Sequence, residues 1–224
     1  MRTKICGINN RENAQIALEC GADALGFLVG ITHIAEDKID VEDAKKIISD
    51  LPPFVSTVAV THLQDPKAIV EMCKYLSVTT LQIHDYLSPE EIVLCRRELP
   101  GVKIIKAVHV VDGDKYGTIR LAHSFENVAD ALLLDSRTVE RLGGTGKIHD
   151  WNISREIVDQ IKIPVMLAGG LTDQNVYEAV MKVKPYAVDV NSGVETDMDK
   201  DPEKVLCFIN NAKRAENDYR RSMQ

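Results

Sequence analysis

Short apolar runs and stretches of helical period alternate along the whole 224-residue chain. Eight runs are strand-like, near Thr3–Cys6, Ala24–Leu28, Val55–Val60, Thr80–His84, Lys103–Val108, Ala131–Asp135, Val165–Ala168 and Ala187–Val190. Helical periodicity fills the intervals near 10–20, 41–50, 66–76, 88–98, 116–127, 153–160, 173–183 and 202–215. Asp65-Pro66, Ser88-Pro89 and Asp201-Pro202 each set an N-cap residue before a proline suited to a first helical turn. Thr172 is placed to cap the helix after Gly169-Gly170-Leu171.

Eight β-then-α units predict an α/β fold of one domain, a closed (β/α)8 TIM barrel over residues 1–215. A charged segment, 216–224, is expected to fray from the last helix. An open doubly wound sheet is the alternative, for which eight strands would be many. The barrel also says where chemistry belongs, at the C-terminal ends of the strands. Cys6, His84, Asp135, Gly169-Gly170 and Asn191-Ser192-Gly193 all fall there.

Composition narrows the classes. Apolar residues make up 45%, enough for a sizeable core. A net charge of −7 with no basic block excludes a nucleic-acid surface, but leaves small anionic ligands open. The five cysteines are odd in number, widely spaced and without a Cys-x-x-Cys, so neither a disulfide framework nor a zinc site is expected. A reducing cytoplasm fits best. The N-terminus runs straight into a strand with no signal peptide, and no apolar run approaches the ~18 residues of a membrane span.

Among the strand-end residues, Cys6 offers a thiol with an ordinary pKa of ~8.5. Lys4, two residues earlier, points to the same strand face and would help ionise it. The alternative is a small cysteine filling the core. Asp135 closes the apolar run Ala131–Leu134, where desolvation raises a carboxyl pKa and suits it to general acid work. The alternative is a turn or N-cap aspartate. Gly169-Gly170 and Ser192-Gly193, ending strands seven and eight, stand where barrels bind phosphate. His84 is placed to hydrogen-bond a substrate. Leu142–Lys147 lacks P-loop spacing and is either a loop over the site or an ordinary turn. Asp150-Trp151 is expected to anchor it. Lys106 and Asp189 are read as a buried structural pair.

Taken together, several motifs are similar to one family. They are Lys4-Ile5-Cys6-Gly7-Ile8, Gly21–Phe27, Gln82-Ile83-His84, Leu133-Leu134-Asp135, Gly143–Lys147 with Asp150-Trp151, Leu167–Leu171 with Asn175-Val176, and Asp189–Glu195 with Lys200-Asp201. In order and spacing they resemble phosphoribosylanthranilate isomerase of tryptophan biosynthesis, from residue 3 to about 212. The resemblance implies an Amadori rearrangement of N-(5-phosphoribosyl)anthranilate to 1-(2-carboxyphenylamino)-1-deoxyribulose 5-phosphate, without metal or cofactor. It implies that Asp135 protonates the furanose oxygen and Cys6 removes the C2 proton. The backbone at Gly169, Gly170, Ser192 and Gly193 would hold the phosphate of this small phosphosugar. A monomer or a homodimer is expected.

One departure stands out. The arginine that meets the anthranilate carboxylate in the family is missing between Leu28 and Ile39. Its position falls near Asp37, which would repel a carboxylate. Lys38, His33 or Arg137 are the candidate substitutes, although lysine is not a bidentate replacement. Smaller departures are Asp85 for a glycine and Thr61 for an aromatic residue. Three readings follow. They are a working isomerase with a rearranged clamp, a sugar-phosphate isomerase with a different aglycone, or a non-catalytic paralogue that binds a phosphorylated ligand. Retention of Cys6 and Asp135 counts against the last.

Overall fold

The computed structural model describes residues 1–32, 37–111, 113–136 and 148–222. Eight parallel strands close into a barrel: β1 Arg2–Ile5, β2 Ala24–Leu28, β3 Ser56–Thr61, β4 Thr80–Ile83, β5 Lys103–Val110, β6 Ala131–Ser136, β7 Val165–Leu167 and β8 Ala187–Val190. Closure is made by β1 on β8, with Lys4 opposite Asp189 and Ile5 opposite Val190, which rules out the open sheet. Helices α1 Arg11–Glu19, α2 Val41–Ser49, α3 Pro66–Leu76, α4 Pro89–Glu98, α5 Lys115–Phe125, α6 Trp151–Gln160, α7 Val176–Val183 and α8 Pro202–Ser222 surround it.

The expected caps set several of these starts. Ser88 and Glu91 form a reciprocal capping box with Pro89 in the first turn of α4, and Asp65 accepts from the Lys67 N–H ahead of α3. Thr172 acts one turn earlier than expected. Its hydroxyl accepts from Gln174 and Asn175, and Asn175 is the N-cap of α7.

Side-chain alternation divides each strand between two environments. Ile5, Leu81, Ile83, Leu132, Leu134, Val188 and Val190 face outward into the large core under the helices. Ile105, Ala107, Leu133, Met166, Ala168 and Ala187 fill a smaller core inside the barrel. Cys6, Val58 and Val60 share another cluster with Leu28. The inward parity therefore carries Cys6 just beyond β1, His84 beyond β4 and Asp135 on β6 to the C-terminal mouth.

Three expectations change. Lys106 does not pair with Asp189. It has the outward parity of Ile104 and Val108, donates to Asp85 O (3.0 Å) and Ala107 O (2.6 Å), and lies over the Phe125 ring. The partner of Asp189 is Lys4, at 2.9 Å. Helix α8 does not stop near 215 but runs to Ser222, with Tyr219 continuing the stripe of Phe208, Ile209, Ala212 and Ala215 against the core. Finally, a 3₁₀ turn at Ser192–Val194 and a small hairpin, β9 Glu195–Thr196 with β10 Asp199–Lys200, follow β8.

Candidate active site

Inward parity at the strand ends assembles a ring of polar side chains at the barrel mouth. Cys6 is only 5% exposed. Burial pushes its thiol up to about 11, and the charges of Asp189 and Asp37 add to this, against the opposing pull of Lys4 and Lys200. The help expected from Lys4 is therefore too weak to ionise the thiol at rest. The Lys4 ammonium is already held by Asp189 Oδ2 (2.9 Å) and Gln82 Oε1 (3.0 Å). Gly26 makes the packing possible, since a Cβ there would stand 2.8 Å from Cys6 Sγ and 2.9 Å from Lys4 Cε.

Asp135 lies within β6 and is not a cap; the N-cap of α6 is Asp150. Burial raises its carboxyl to about 7, although the Ser136 N–H donates to Oδ1 at 2.7 Å. His84 Nε2 faces Oδ2 at 3.4 Å. Burial, together with the neighbouring His109 and His62 rings, holds the His84 imidazole well below its usual pKa, so the ring is neutral.

His62 and His109 were not singled out from the sequence. Both are inward by alternation, His62 two residues after Val60 and His109 two after Ala107. Their ring centroids lie 4.9 and 5.0 Å from that of His84. Counting parity onward from the last core residue of β3 and β5 would have found them.

At β7 and β8 the backbone is shaped for close approach. Gly169 has φ of 81°, in the left-handed region, and a Cβ on it would sit 2.3 Å from Ser136 Oγ. A Cβ on Gly193 would lie 1.9 Å from Leu171 O. Asn175 Nδ2 donates to Gly170 O (2.9 Å) and fixes the turn between them. Ser192 and Gly193 form the adjacent 3₁₀ turn.

On the β2 side, Asp37 occupies the position expected for a clamp. Its carboxylate accepts from Asn191 Nδ2, and Asn191 Oδ1 accepts from the buried Lys200 ammonium. Lys38 is exposed and bridges Leu28 through its backbone. His33, Arg137 and the Gly143–Lys147 loop lie outside the described residues. Beyond that loop, Asp150 accepts from the Asn152 N–H and Trp151 is buried, while His149 sits between Ser136 Oγ (3.0 Å) and Ser154 Oγ (2.6 Å).

His84, His109 and Asp135 present ligand-type atoms within 4.8 Å of one another. The hydrogen bonds do not suit a cation. Metal-bound imidazoles donate their second N–H to an acceptor. Here the second nitrogen of His84 receives a donor, Gln82 Nε2, at 3.3 Å. The trio is arranged as donor and acceptor around a carboxyl group.

Residues 3–211 match the family model described as N-(5'phosphoribosyl)anthranilate (PRA) isomerase. N-(5'-phosphoribosyl)anthranilate isomerase 2 of Methanosarcina mazei is 42% identical over 98% of this chain and 96% of its own. The crystal structure of phosphoribosyl anthranilate isomerase from Thermotoga maritima superposes with a TM-score of 0.83 at 37% identity, covering 96% and 99% of the two chains. A phosphoribosyl anthranilate isomerase in complex with reduced 1-(o-carboxyphenylamino)-1-deoxyribulose 5-phosphate gives 0.80 at 34% identity, with the same coverage. No helix among the described residues is long and apolar enough to cross a membrane.

Proposed function

The chain belongs to the N-(5'-phosphoribosyl)anthranilate isomerase family, and from that premise we propose how its own residues divide the reaction. It is an isomerase of tryptophan biosynthesis, converting an aminoaldose phosphate to an aminoketose phosphate. The readings with another aglycone or without catalysis are set aside accordingly.

The observation that carries the assignment is the strand order β6-β7-β8-β1. A phosphate held at Gly169, Gly170, Ser192 and Gly193, beyond β7 and β8, lies between Asp135 on β6 and Cys6 just beyond β1. The sugar attached to it is then flanked by an acid on one side and a base on the other. Asp135 gives its proton to the furanose oxygen, which opens the ring to a cationic Schiff base. Cys6 takes the proton from C2, and the resulting enolamine tautomerises to the ketone. His84 stands beside Asp135, with Nε2 facing its carboxyl at 3.4 Å. No metal or cofactor enters these steps.

The two pKa values give the test. Between about pH 7 and 11 the predominant state keeps its proton on Cys6 and none on Asp135. The productive state has the same proton count, with the proton on Asp135. Its share, about one in 10⁴, is fixed by the pKa difference and does not vary with pH over this range. Accordingly, kcat/KM, followed by loss of anthranilate fluorescence, rises about tenfold per pH unit below 7 and is flat from there into the alkaline range. A decline setting in above pH 7 would overturn the reverse assignment of protons.

Lys38 and Arg137 are the proposed partners of the aglycone carboxylate. Lys38→Ala is expected to raise KM roughly 3- to 10-fold with kcat unchanged, as for a contact kept throughout the reaction. An unchanged KM removes Lys38 from the assignment.

The protein acts as a homodimer in this reading, as its Thermotoga maritima relative is described. Phe54, before β3, is fully exposed at the N-terminal end of the barrel. A cleft of about 620 Å³ opens at the same end, lined by residues including Met1, Val165, Tyr186 and Tyr219. A two-fold axis would seat the ring of each copy in the cleft of the other. Phe54→Asp is expected to halve the mass in sedimentation; a wild-type monomer would refute this. Five free cysteines among the described residues support a reducing, cytoplasmic setting.

A further inference from the structure

A chain of buried polar side chains crosses the inside of the barrel from β8 to β6: Asp189, Lys4, Gln82, His84 and Asp135. From it we infer that Lys4 and Gln82 are positioning residues that fix the tautomer of His84, so that its Nε2–H is aimed at the carboxyl of Asp135. The inference rests on Asp135 being the acid.

Each link follows from donor and acceptor chemistry. An ammonium only donates. Lys4 therefore requires an oxygen from Gln82, and finds Oε1 at 3.0 Å while Asp189 Oδ2 takes a second proton at 2.9 Å. With its oxygen committed, the Gln82 amide turns Nε2 toward His84 Nδ1, at 3.3 Å. That nitrogen must carry the lone pair. The one ring proton of neutral His84 then sits on Nε2, 3.4 Å from Asp135 Oδ2.

The groups around the ring keep it in this state. His62 beyond β3, His109 on β5, Lys106 on β5 and Lys4 on β1 all disfavour a second proton on it, and burial does so most of all. His109 gives its own Nε2–H to the His84 carbonyl oxygen at 3.1 Å, which braces the backbone. The sequence basis is the spacing Gln82-x-His84, which puts both side chains on one strand face.

A resting distance of 3.4 Å is long for a hydrogen bond. In the productive protonation state Asp135 is neutral; charge appears on it when its proton leaves for the furanose oxygen, and a prepositioned N–H then closes onto it. The opposite tautomer would present a lone pair and hold the proton on Asp135, which weakens the acid.

The test is Gln82→Glu in the full-length protein. A carboxylate still pairs with Lys4 but accepts a proton from Nδ1, which moves the ring proton away from Asp135. In ¹⁵N-labelled protein, wild-type His84 is expected to show protonated Nε2 and bare Nδ1, and the variant the reverse. In parallel, kcat is expected to fall about 10²-fold with KM within about threefold. The acidic limb of the pH profile should also move upward. His84→Gln, which keeps a donor, should retain more kcat than His84→Leu. This comparison and the wild-type tautomer decide the matter even if Gln82→Glu misfolds. A wild-type ring protonated on Nδ1, or a folded Gln82→Glu with undiminished kcat, would overturn the inference. Full activity of Asp135→Asn would instead remove the premise, and the tautomer measurement would stand apart from it.

Discussion

Asp135→Asn is expected to lower kcat by about 10³- to 10⁴-fold and, at neutral pH, to make the protein more stable. Both effects come from the same burial. The carboxyl has an ordinary pKa of 3.8 and is raised to about 7 in the fold, chiefly by desolvation. A group whose folded pKa is raised stabilises the native state fully below its unfolded pKa, and that contribution is lost as pH rises through the folded value. The window here is pH 4 to 7. Three pH units correspond to about 4 kcal/mol at most. Asparagine does not ionise, but its single oxygen can serve only one of the two donors, the Ser136 N–H or the His84 Nε2–H. A net gain of about 1–3 kcal/mol at pH 7.5, absent at pH 4, is the expected result. Urea unfolding of both proteins at the two pH values measures it. Stability curves that stay parallel across this window would mean that Asp135 is not strained by burial. Turnover that survives the substitution would mean that it is not the acid.

The barrel was legible because short, largely buried strands alternate with striped helices, so segment boundaries stand out in the chain. The site was legible to the extent that strand ends and parity determine it. Cys6, His84 and Asp135 are terminal residues of apolar runs, and all three point inward. What stayed hidden was the pairing across the barrel. Lys4 meets Asp189 through the register in which β1 closes on β8, and no local pattern encodes that register. Lys106 was misplaced for a related reason: Ile104, Ile105, Ala107 and Val108 are apolar on both faces, so the sequence offers no alternation to orient a lysine among them. Helix α8 looked like a fraying tail because its charge is dense, yet Ala212, Ala215 and Tyr219 keep helical spacing toward the core. Hairpin β9–β10 has two-residue strands, too short for any period to show.

Cys6→Ala is expected to remove about 10³-fold or more from kcat while KM changes little, because the thiol acts on a proton transfer and not on binding. An equal loss confined to KM would take the base role away from it. The companion measurement is alkylation by iodoacetamide followed by peptide mapping. At pH 7 exposed Cys207 is expected to react long before Cys6, whose burial and pKa near 11 leave almost no thiolate. Rapid modification of Cys6 at pH 7 would show an ionised resting thiol and a site unlike the one described. Resistance has a mechanistic meaning. A base this weakly ionised works because the cationic Schiff base acidifies C2, so the small thiolate share that coexists with protonated Asp135 suffices. From that one protonation state Asp135 acts first and Cys6 second, and the sulfur stays almost wholly un-ionised between turnovers.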